Sequence, residues 1–63
     1  MEKLLAEADA GDYHFELRKK KNGKFSCLRS DLSNPVRAPE RVTDLRDIPP
    51  VVSKIFQRFM HMH

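Results

Sequence analysis

Residues 13–19 alternate strictly between apolar and polar positions. Tyr13, Phe15 and Leu17 fall on one side, and His14, Glu16 and Arg18 on the other. A period of two over seven residues predicts a half-buried β-strand. Asn22-Gly23 follows as a turn signal, and residues 24–29 (Lys-Phe-Ser-Cys-Leu-Arg) return as a second strand.

Loop length sets which side chains share a face of this hairpin. A two-residue Asn-Gly loop places Leu28 opposite Leu17 and sends Phe25 to the far side. A three-residue loop, Lys21-Asn22-Gly23 with Gly23 left-handed, puts Phe25 and Cys27 on the face of Phe15 and Leu17. The second arrangement gathers more apolar surface and is the preferred one.

Towards the end of the chain the period changes. Val52, Ile55, Phe56, Phe59 and His63 recur at helical spacing, while Ser53, Lys54, Gln57 and Arg58 lie elsewhere on the wheel. A helix over about 49–61 is predicted, with Asp47 as a cap and Pro49-Pro50 in its first turn, where a missing N–H is harmless. The double proline also suits a polyproline segment, but helix initiation accounts for it.

Residues 2–9 predict a short helix, with Leu4, Leu5 and Ala8 on one side and Gly11 as its stop; alone, such a segment frays. Residues 30–47 read as an irregular linker rich in turn formers, with a short third strand near 41–45 (Arg-Val-Thr-Asp-Leu). The expected architecture over residues 1–63 is one small α+β domain. It consists of an antiparallel hairpin over 13–29, a short additional strand and a covering C-terminal helix.

Length sharpens this expectation. Ordering 63 residues costs about 1.5 kcal/mol each, and only 40% of them are hydrophobic, with no Trp. A thin core is expected, completed by a partner or a second copy. So thin a core leaves little room for a catalytic pocket, which argues against an enzyme. The lone Cys27 cannot form an internal disulfide, the N-terminal stretch is charged, and no apolar run has bilayer length. These features point to a reducing, cytoplasmic setting.

Charge is unevenly distributed. Residues 1–16 set Lys3 against five acids. Residues 17–30 carry Arg18, Lys19, Lys20, Lys21, Lys24 and Arg29 with no acid, and residues 31–63 hold five basic and four acidic residues. The local balances are −4, +6 and +1, giving the net +3. The basic hairpin is one candidate contact surface, for nucleic-acid phosphates or an acidic protein. The bland alternative is a solvated hairpin tip whose lysines discourage edge pairing. Tyr13, Phe15 and Phe25 are needed for the core, so no stacking platform remains for bases.

Phe56, Phe59 and Met60 are bulky for so small a core and form the second candidate surface, an apolar helix patch for a protein partner or self-association. Their alternative role is core packing. His61 and His63 flank Met62 in an arrangement that a soft metal can use, but i and i+2 diverge on a helix and chain ends fray. Cys27 with a histidine would make a nucleophile pair; a small buried hydrophobe is the simpler reading. No catalytic residue, metal site, cofactor or small-molecule substrate is assigned. A non-enzymatic binding or regulatory module, acting through the helix and the sheet, is the expected function, and nucleic-acid binding by the hairpin is the alternative.

Overall fold

The computed structural model describes residues 2–60, with Leu45 described through its backbone alone. Four strands, β1 (Lys3–Ala10), β2 (Tyr13–Lys19), β3 (Phe25–Asp31) and β4 (Glu40–Val42), form an antiparallel sheet in the order β1-β2-β3-β4. A 3-10 turn over Leu45–Asp47 leads to one α-helix, α1 (Pro50–Met60), which covers one face. The small α+β fold with a C-terminal helix is the one expected from sequence.

The hairpin register is that of the three-residue loop. Leu17 pairs with Cys27 and Lys19 with Phe25. The Lys20 N–H donates to the Lys24 carbonyl at 2.8 Å, and the Gly23 N–H to the Lys20 carbonyl at 3.0 Å. Gly23 has φ +84°, a conformation that a Cβ disfavours. The Asn22 side-chain oxygen accepts the Lys24 N–H at 3.0 Å and fixes the far side of the turn.

The N-terminal segment is a strand, not the predicted helix. Ala and Glu favour helix locally, but the context overrides that preference. Ala10 and Tyr13 pair directly, leaving Gly11-Asp12 as a two-residue loop. Gly11 at φ +59° suits the first central position of a type II′ turn, which returns the chain alongside β2. Ala6, Ala8 and Ala10 then face α1, while Glu7 and Asp9 face away. A bulge between Leu4 and Ala6 interrupts the alternation and sets Lys3 opposite Lys19. At the other edge β4 is only three residues long, a poor template for further pairing.

The third expected strand forms at Glu40–Val42, slightly earlier and shorter than 41–45, because Asp44 ends it. The Asp44 side chain accepts the Arg46 N–H at 2.9 Å and its carbonyl accepts the Asp47 N–H at 3.0 Å, which starts the 3-10 turn. Asp47 is therefore the end of that turn and not the helix cap. The first helical bond runs from the Ser53 N–H to the Pro49 carbonyl at 2.9 Å, placing Pro50 in the first helical position.

Phe15, Leu17, Cys27, Val52 and Phe56 form the buried core, flanked by half-buried Ala6, Ala8, Phe25, Val42, Ile48 and Met60. The inward side of α1 is thus Val52, Phe56 and Met60 at i, i+4 and i+8, with Ile55 packed beside them. Phe59 lies at its margin and is 38% exposed. His61 and His63 lie outside the described residues. No described helix is long and apolar enough to cross a membrane.

Candidate functional site

The six cations of the basic hairpin divide by face and by partner. Arg18 lies on the open face, and its Nη2 pairs with Glu16 Oε1 at 3.1 Å. Arg29 lies on the helix side, where its guanidinium stacks over Tyr13 at 4.8 Å and pairs with Glu40 at 3.1 Å. Glu40 also receives Arg37, and the two guanidiniums hold its carboxyl below the usual range, the Arg29 hydrogen bond contributing most. Neither arginine offers an uncompensated charge. Lys19 extends over the Phe25 ring at 5.8 Å. Among the described residues, no ion pair holds Lys20, Lys21 or Lys24, and Lys3 joins this end of the sheet across from Lys19.

The apolar patch also divides. Phe56 is 2% exposed and belongs to the core, meeting the surface only where it lines a cleft, which narrows the expectation of an exposed patch at that residue. Phe59 remains at the surface, and Met60 borders the same cleft.

That cleft, of about 300 Å³, lies between α1 and the β3–β4 side of the sheet. Leu17, Phe25, Cys27, Val42, Ile48 and Phe56 form its apolar walls, and Lys20, Arg41, Asp44 and Ser53 are among its remaining lining residues. Its origin is steric. α1 runs closest to β1, where the alanines allow close approach, and the space widens towards β3 and β4. Burial pushes the Cys27 thiol up, with the Arg29 charge acting the other way. Cys27 shares a face with Leu17, whereas His14 is on the opposite face, so this histidine and the cysteine do not make a nucleophile pair.

The open face holds a cluster not recognised from sequence. His14 Nδ1 is hydrogen-bonded to Asp9 Oδ1, while Nε2 lies 3.5 Å from Glu7 and 3.9 Å from Glu16. Chiefly through the Asp9 hydrogen bond, and further through the three negative charges, the imidazole pKa is raised despite partial burial. Glu7, His14 and Glu16 place donor atoms within 4.8 Å of one another, a mixed nitrogen and oxygen set that a borderline divalent ion can use. The same carboxylates favour the charged form of His14. The sequence signal was the alternation of Glu7 and Asp9, masked by the helical reading of residues 2–9.

Compared with known proteins, the chain matches no family model, no curated protein and no solved structure.

Proposed function

We propose that this chain is a non-enzymatic binding module whose contact surface is the cleft between α1 and the β3–β4 side of the sheet, and that it acts by engaging another protein there. The observation carrying this reading is the cleft itself: about 300 Å³ of mainly apolar space left open among the described residues. Exposed apolar surface in a small protein is a liability unless something covers it. Met60 lines the space, so part of the apolar helix patch contributes to this surface, while Phe59 is exposed elsewhere on the helix. The burial of Cys27 and its separation from His14 favour binding over nucleophilic chemistry.

Capture from a nuclease-treated native lysate tests the reading when the wild type is compared with Ser53→Leu. Ser53 lines the cleft and makes one weak side-chain contact, with Gln57 at 3.4 Å, so leucine there fills space without removing core atoms. The expected result is a discrete protein partner, or a second copy seen by size-exclusion chromatography, that Ser53→Leu loses while staying folded. Retention of the same partner by Ser53→Leu contradicts the reading. Capture that nuclease abolishes, and that is lost in a Lys20→Glu, Lys21→Glu, Lys24→Glu variant, favours nucleic-acid binding by the hairpin instead.

A further inference from the structure

We infer that the cleft receives large apolar side chains from an acidic segment of a partner protein, whose carboxylates lie against the lysines of the β2–β3 tip. This rests on the cleft being the contact surface and adds the chemistry of what enters it.

Volume is the first argument. An apolar cavity of about 150 Å³ accommodates a benzene molecule. The cleft here has about twice that space, room for two ring-sized or branched aliphatic groups. Large apolar anchors seated in such pockets are what dominate protein interfaces.

Charge is the second argument, and it depends on which ions around the cleft are already compensated. Asp44 accepts the Arg46 N–H at 2.9 Å and pairs with the Arg46 guanidinium at 3.4 Å. Arg41 lies 4.0 Å from Glu2. Lys20 lines the cleft, and no ion pair holds it among the described residues; the same is true of Lys21 and Lys24 in its loop. The uncompensated charge beside the apolar space is therefore positive and spread along a five-residue loop, Lys20 to Lys24.

That spread selects among anionic occupants. A fatty carboxylate carries one charge and answers one lysine. A nucleic acid answers the lysines but leaves the apolar walls empty, and Lys19 already lies over the Phe25 ring. An acidic peptide with bulky apolar residues satisfies both halves of the surface, and charges of this kind at the rim speed encounter and set specificity.

The test uses three synthetic dodecapeptides titrated into the full chain and followed by amide chemical shifts. The first has a Leu/Phe centre flanked by glutamates. The second has the same centre flanked by lysines, and the third has glutamates around a serine centre. The expected result is that the first binds at least about tenfold more tightly than either control and shifts the amides of Phe25, Val42, Ile48 and Ser53. A Lys20→Glu, Lys24→Glu variant is expected to lose about tenfold in affinity with its melting temperature preserved.

Equal binding of the lysine-flanked peptide overturns the inference. So does tighter occupation of the cleft by decanoate, or tighter binding of an oligothymidylate that moves only the tip amides. If Ser53→Leu loses the captured partner while the lysine variant keeps it, the cleft remains the contact surface and the acidic partner is excluded. If neither variant loses the partner, both readings fall.

Discussion

The two halves of the helix–sheet interface differ in how well they close. Over β1 and β2, Ala6 and Ala8 let α1 approach, and Phe15 and Val52 fill the space between, with Leu17 and Phe56 at the boundary with the cleft. Over β3 and β4, Phe25, Cys27 and Val42 line a gap and do not fill it. One helix thus works as a structural lid on one side and as one wall of a cleft on the other. Side-chain size accompanies the difference: three alanines of β1 face the helix on one side, whereas the bulkier Phe25, Val42 and Ile48 line the space on the other.

The closed half is expected to fail first when cut back. Phe56→Ala removes a fully buried ring and should lower stability by about 3–5 kcal/mol. Because cores of this size rarely supply more than that, the variant is expected to be unfolded by circular dichroism at room temperature. A cooperative native melt close to that of the wild type would show that the closed half is not where the fold's stability lies.

Adding volume separates the halves more sharply. Ala8→Leu should overpack the β1 side and destabilise by about 1–3 kcal/mol in urea denaturation. Ser53→Leu adds bulk at the cleft and should stabilise by about 0.5–2 kcal/mol. Opposite signs for two small-to-large changes are the signature of one full half and one open half. The same sign for both would erase the comparison.

The smallest effect belongs to the open face. The folded-state pKa of His14 is raised above 6.5, so its ion pairs stabilise the fold fully below about that pH. This contribution is lost as pH rises through the raised value. Between pH 6 and pH 9 the wild type is expected to lose a small amount of stability that His14→Gln does not lose. A variant with the same slope would place the pH dependence elsewhere.

Legibility from sequence followed how local the determining physics was. Asn22-Gly23 and the alternation of residues 13–19 specify a hairpin almost alone, while its register rested on which of two loop lengths gathers more apolar surface on one face. The spacing of Val52, Ile55, Phe56 and Phe59 marks α1 for the same reason, although the structure leaves Phe59 at the margin. β1 was not legible, because Ala and Glu favour helix and the strand exists only through pairing with β2. Once β1 was misread, Lys3 beside Lys19 and Glu7 beside His14 could not be anticipated, since both depend on strand register. Phe56 looked equally suited to core or patch; its place in the i+4 line with Val52 decides for the core. The cleft left no local trace, because it consists of side-chain volume missing between segments far apart in the chain.

The most direct test of the account is an amide chemical-shift titration of the wild type and Ser53→Leu with the glutamate-flanked Leu/Phe peptide. Shifts confined to residues around Phe25, Val42, Ile48 and Ser53 in the wild type, absent in a folded Ser53→Leu, are predicted. Equal shifts in both proteins, or shifts centred on His14 and Glu7, would contradict it.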